Sequence, residues 1–240
     1  MNGQATVTIL EVWQLSKRFG GVEALSCVEF HVCDREIIGL IGPNGAGKTT
    51  LFNIMSGFDV PDEGLVVFNG ESIIGLPPHE ICNKGITRTF QMTRGFRGLT
   101  VLENIVVAAL NGTKNLSEAK GRAREIIGAV GLRGFAEKRA GELSTGYQKR
   151  LELAKALATQ PRLLLLDEVF TGLSQTAIDD TIRILESANQ SGTAIVIIEH
   201  LMRPILALAT RVVALDHGVK VAEGTPQSIA LGAQHVGRYP

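Results

Sequence analysis

The run Gly42-Pro43-Asn44-Gly45-Ala46-Gly47-Lys48-Thr49 sets glycines, one lysine and one hydroxyl at the spacing of a phosphate-cradling loop. In such a loop the main-chain N–H groups face phosphate oxygens. Lys48 reaches the β and γ phosphates, and Thr49 offers its hydroxyl to Mg²⁺. Thr50, the next residue, completes the expected nucleotide-contacting stretch. The loop needs a buried strand before it and a helix after it. Residues 37–41 are apolar enough for that strand, and residues 50–56 read as the helix. The chain is therefore expected to bind a nucleoside triphosphate.

A second group of residues could act on that triphosphate. Asp167-Glu168 follows four leucines, so two carboxylates sit at the carboxyl end of a buried strand, where parallel α/β sheets bind ligands. Asp167 is expected to hold Mg²⁺, directly or through water, and Glu168 to polarise the attacking water. His200 ends another apolar run, 194–198 followed by Glu199. Its neutral-range pKa allows it to sense a γ-phosphate, although spacing alone does not assign that role. Gln91 can ligate a metal by its carbonyl and orient water by its amide, a signal that is weak taken alone. Leu143-Ser144-Thr145-Gly146-Tyr147-Gln148 precedes a helix; Ser144 has N-cap chemistry, and the N–H groups that follow it, with Thr145 and Gly146, form an anion site.

These residues must be placed by an alternation of strands and helices. Residues 6–32 read as antiparallel strands turning at Gly20-Gly21. The turn 61–64 precedes a strand at 65–68, and Asn69-Gly70 is a tight turn after it. From about residue 99 to 157 the apolar spacing becomes helical, with Leu102, Ile105, Val106 and Ala109 on one face. Ala123, Ile127 and Val130 form another, and residues 149–159 form a further helix. Strand signals return at 163–166, 194–198 and 212–215, with a helix at 176–189. The expected fold class is α/β: a P-loop NTPase core with a parallel sheet, an N-terminal antiparallel β subdomain and an inserted α-helical subdomain. One domain spans 1–240. Its core comprises 1–91 and 160–240, and the helical part comprises 92–159. Residues 232–240 read as a loose end.

Bulk composition narrows the class. Twenty-four basic residues balance 24 acidic ones, so a polyanionic main substrate is disfavoured and no nucleic-acid partner is expected. Three cysteines, Cys27, Cys33 and Cys82, lack a paired-ligand pattern and read as small buried or half-buried residues in a reducing compartment. No signal-peptide pattern is visible, and the apolar runs are strand-sized, far short of the ~20 residues that cross a bilayer. Any membrane role is expected to come through a partner.

From Leu10 to Pro226 these elements resemble, in order and separation, the nucleotide-binding subunit of ABC transporters. The resemblance rests on the phosphate loop, Gln91, the signature around Ser144, Asp167-Glu168 and His200. It implies that Phe19 stacks on adenine, with ATP and Mg²⁺ as cofactors. It also implies a second ATPase subunit, identical or related, whose signature closes over this ATP, and permease subunits whose coupling helix fits a groove beside Gln91. Lys17-Arg18-Phe19-Gly20-Gly21, residues 85–91, Thr100-Val101-Leu102-Glu103-Asn104 and Glu223-Gly224-Thr225-Pro226 are similar to importers of branched-chain amino acids and related solutes such as urea. That branch implies a solute-binding protein and a peripheral place on the cytoplasmic face of the inner or plasma membrane.

The sequence departs from the family pattern at Thr145 and Tyr147, where glycine and glutamine are usual. It departs again at Val169 after the carboxylates, and at Ser174, where aspartate is common. Slower or more partner-dependent turnover is the expected consequence. The rival readings are a regulatory or nucleic-acid-associated ABC ATPase without a channel, and a P-loop protein that binds nucleotide without useful hydrolysis.

Overall fold

The computed structural model describes residues 7–90 and 95–236. Ten strands and eight α-helices follow one another among these residues. Strands β1 (Thr8–Phe19) and β2 (Val22–Cys33) form the expected hairpin, with Gly20 at φ +56° in its turn. Strand β3 (Ile37–Ile41) leads into helix α1 (Lys48–Met55). Strands β4 (Glu63–Phe68) and β5 (Glu71–Ser72) turn on Asn69-Gly70, both at positive φ. Helix α2 (Pro78–Lys84) and strand β6 (Ile86–Arg88) precede the helices α3 (Val101–Ala109), α4 (Leu116–Ala129) and α5 (Thr145–Ala158). Strand β7 (Leu163–Asp167), helix α6 (Gln175–Gln190), strand β8 (Ala194–Ile198) and helix α7 (Met202–Leu208) follow. Strands β9 (Arg211–Asp216) and β10 (Val219–Gly224) and helix α8 (Pro226–Val236) complete the order.

Two sheets result. One is antiparallel, in the order β2-β1-β4-β5. The other runs β10-β9-β3-β8-β7-β6, parallel except for the β10–β9 edge. The parallel strands are apolar on both faces because both faces are covered. Ile37, Ile41, Leu164, Leu166, Ile195 and Ile197 pack with the helices of the 101–158 region. Ile38, Leu40, Leu163, Leu165, Val196 and Ile198 face a second core shared with the antiparallel sheet and α1. The helical insertion therefore shares one continuous core with a face of the sheet.

Several sequence expectations are corrected. The turn expected at 61–64 is shorter, since β4 begins at Glu63. Gly64 sits inside it at φ +91°, where a side chain would meet the Trp13 and Gln14 carbonyls. Helix α5 begins at Thr145, four residues before the apolar spacing starts. Residues to 236 are helical where a loose end was expected. Cys27 is exposed, while Cys33 and Cys82 are half-buried, and all three are free thiols.

Candidate functional site

Strand order concentrates the chemistry. β3, β8 and β7 are adjacent and parallel, and Leu40, Ile198 and Asp167 lie in register. The loop after β3, the Glu199-His200 pair after β8 and the carboxylates at the end of β7 therefore leave the sheet at one level, at its carboxyl edge.

The loop after β3 is built by close backbone approach. A side chain on Gly42 (φ +150°) would reach within 2.2 Å of the Leu215 carbonyl, and one on Gly47 (φ +97°) within 2.4 Å of the Ala24 carbonyl. Gly45 (φ +81°) has nothing within 4 Å of where a side chain would begin. Pro43, Asn44 and Gly45 are exposed, whereas Ala46 is buried. Gly47 is the N-cap of α1 and provides no side-chain cap, so the first N–H groups of the helix keep their affinity for an anion. Lys48 is only 6% exposed and donates to the carbonyl oxygens of Gly42 (2.7 Å) and Pro43 (2.9 Å). Burial lowers its pKa, and the Glu168 and Asp167 carboxylates pull it back up. A buried cation, uncapped N–H groups and an open glycine at one loop fit a polyphosphate. Thr49 is exposed and Thr50 half-buried on the first turn of α1.

Asp167 is buried and accepts a 2.8 Å hydrogen bond from Arg88 Nη2, forming a salt bridge with both side chains nearly sealed from water. Arg88 also donates to Asn53 Oδ1 (2.7 Å) and Ser56 Oγ (3.3 Å), and its guanidinium lies over the rings of Phe52 and Phe90. Its Nε is buried without a hydrogen-bond partner among the described residues. Among the described residues no trio of His, Cys, Asp or Glu could cage a metal. A Mg²⁺ ion that arrives with a polyphosphate fills much of its shell with phosphate and water and calls for few protein oxygens. The Thr49 hydroxyl and the Asp167 carboxylate are the oxygens at hand.

Glu168 and His200 are brought together: Glu168 Oε1 lies 3.0 Å from His200 Nε2. Glu168 holds a left-handed backbone (φ +49°), which costs a non-glycine residue about 1–2 kcal/mol. Its N–H donates to the Ile198 carbonyl (3.0 Å), and its own carbonyl accepts from Lys149 Nζ (3.2 Å). Gln91 lies outside the described residues.

Ser144 occupies the N-cap of α5, as read from the sequence. Its hydroxyl nevertheless makes no capping hydrogen bond, which corrects the capped-helix expectation. Ser144 and Thr145 are exposed, and Gly146 lines a cleft with Ser144, Lys149 and Ser174. Tyr147 is half-buried. Its ring packs on Phe135 (centroids 4.3 Å apart) and under the Arg150 guanidinium. Ser174 caps α6 by accepting the Ala177 N–H (3.3 Å), a task an aspartate performs equally well. Phe19 is an exposed ring at the tip of the β1–β2 hairpin, with Lys17 Nζ 5.3 Å from its centroid. The hairpin's second strand abuts the phosphate loop at Ala24 and Leu25.

Three residues of the site escaped the sequence reading: Arg88, Lys149 and Glu199. Only Glu199 carried a local signal, a carboxylate that closes a five-residue apolar strand.

The chain resembles known proteins in sequence and in fold. The family model described as ABC transporter matches residues 25–171. The branched-chain amino acid transport ATP-binding protein BraF of Pseudomonas aeruginosa is 38% identical over 237 residues, covering 92% of this chain and 93% of its own. The ATP-binding cassette MJ1267 superposes with a TM-score of 0.89 at 30% identity, covering 98% of this chain and 100% of its own. MJ0796, solved as a post-hydrolysis dimer bound to ADP and Pi, superposes with a TM-score of 0.82 at 26% identity, covering 91% and 99%. The chain belongs to the nucleotide-binding ATPase family of ABC transporters.

Proposed function

We propose that this chain is the ATP-hydrolysing subunit of an importer for branched-chain amino acids or a related small polar solute. The observation that carries the catalytic part is the 3.0 Å contact between Glu168 and His200, at the sheet edge that also presents Lys48. The solute class rests on the likeness to BraF.

The loop 42–49, with Thr50, binds the triphosphate through main-chain N–H groups, and Lys48 neutralises charge on its β and γ phosphates. The Thr49 hydroxyl, the Asp167 carboxylate and the Gln91 side-chain carbonyl would hold Mg²⁺, which would add further neutralisation of phosphate charge. Glu168 orients and polarises the attacking water, and His200 fixes the Glu168 carboxylate while facing the γ-phosphate side. Gln91 orients the same water. Phe19 offers a ring to the adenine. A second ATPase subunit, identical or related, presents its own Ser144, Thr145 and Gly146 N–H groups, or their counterparts, to the γ-phosphate. The uncapped start of α5 supports that use. Permease subunits take up the closing motion, and a solute-binding protein delivers the solute on the far side. Among the described residues no helix is long and apolar enough to cross a membrane, so attachment to the cytoplasmic face is assigned to those partners.

Affinity purification from detergent-solubilised membranes tests the reading. Hydrophobic permease subunits are expected to copurify, with ATPase activity of the complex rising when binding protein loaded with leucine, isoleucine or valine is added. Recovery free of membrane subunits, or stimulation by nucleic acid in place of solute, would contradict it.

A further inference from the structure

The turn that carries Glu168 is held from two sides by side chains to which the phosphate loop and the signature assign nothing. On one side Lys149, in the second turn of α5, sends its ammonium to the Glu168 carbonyl (3.2 Å) and the Thr171 carbonyl (2.5 Å). On the other side Glu199, 2% exposed, receives the Phe170 N–H at Oε1 (2.8 Å) and the His200 N–H at Oε2 (3.3 Å). Burial lowers the pKa of the Lys149 ammonium while the Glu199 and Glu168 carboxylates raise it, and burial raises that of Glu199. Glu168 itself is in the left-handed region, a conformation that surrounding contacts must impose on a non-glycine residue. Lys149 also lines both the cleft beside Ser144 and Gly146 and the small pocket beside Asp167 and Glu168.

We propose that Lys149 is a positioning residue that ties the signature end of α5 to the main chain of Glu168 in the same subunit. The inference rests on the reading of Glu168 as the residue that orients water. Displacement of α5 when a facing subunit engages its N-terminus is carried by the ammonium to the Glu168 carbonyl. It therefore alters the aim of the Glu168 carboxylate, and small errors of aim at a reacting centre are costly in rate. Neither the phosphate loop nor Lys48 takes part in this link, so nucleotide affinity is left alone.

The test uses the assembled complex with its copurified partners and compares Lys149→Met, Lys149→Arg and Glu168→Gln. Methionine keeps length and packing but removes charge and donors. Lys149→Met is expected to lower kcat by about tenfold, with KM for ATP and equilibrium ATP binding within about twofold. Lys149→Arg is expected to recover kcat to within about threefold of wild type, because a guanidinium can also serve two carbonyls. Glu168→Gln is expected to bind ATP and not turn over. An inactive Glu168→Gln beside a fully active Lys149→Met would overturn this inference alone. A fully active Glu168→Gln would remove the reading beneath it as well. Parallel loss of kcat, ATP binding and thermal stability in Lys149→Met, without recovery by arginine, would make Lys149 a packing residue and also overturn the proposal.

Discussion

Asp167 and Arg88 form an ion pair that almost no water reaches. Taking one member away leaves the other charged and buried, a loss of about 3–5 kcal/mol in comparable pairs. Arg88→Met should therefore lower unfolding stability by about 3 kcal/mol in urea titrations. A change below about 1 kcal/mol would mean that water reaches Asp167 freely. His200 behaves differently, because it is exposed and its side-chain partner among the described residues is the Glu168 carboxylate. His200→Ala should leave stability and ATP binding intact while reducing kcat by about a hundredfold, checked by steady-state phosphate release. At this scale the sequence was legible where a polar residue interrupts an apolar strand end. Asp167, Glu168 and His200 stand out in that way, and Glu199 could have. Arg88 could not, because its strand is three residues long and exists only through pairing with β7. Lys149 is one of several cations near the start of α5, and only the fold shows which carbonyls it meets.

The elements around the site explain how this chain accommodates its unusual signature. Tyr147, where the family commonly has glutamine, is turned onto Phe135 and Arg150 and so joins the helical core to the start of α5. Tyr147→Gln should destabilise the fold by about 1 kcal/mol through the lost ring contact, measured by chemical denaturation. An unchanged midpoint would show that the ring contributes no packing. The N-terminal hairpin is fastened by Asp62, which accepts from Lys17 Nζ (2.9 Å) and the Arg18 N–H (2.7 Å), and these bonds hold its pKa below the usual carboxylate range. An acid whose folded pKa is depressed gives its full stabilisation above the unfolded value, near ~4, and loses it as pH falls through the folded one. Asp62→Asn should therefore flatten the acid side of the stability curve below pH ~4. An unaltered acid limb in thermal melts would count against the fastening. Helix α7 went unread for a related local reason. It is short and carries Pro204 in its first turn, where proline costs no intrahelical hydrogen bond but erases the usual pattern.

Over the whole molecule, the sheet separates two cores and delivers three chemical segments to one edge. This architecture was legible because β7 and β8 are continuous apolar runs, the mark of strands covered on both faces. The flanking pieces α2, β6, β10 and α8 were not; of these β6 and β10 are edge strands formed by pairing with β7 and β9. The uncapped start of α5 and residues 43–45 of the phosphate loop are both exposed. On the proposed reading, ATP bound at Lys48 is cleaved by water that Glu168 orients. The most direct test is single-turnover release of phosphate from γ-labelled ATP by the assembled complex, wild type against Glu168→Gln, at equal ATP occupancy. The expected result is phosphate release by the wild type and retained, uncleaved ATP in the variant. Equal release rates in the two would contradict the account.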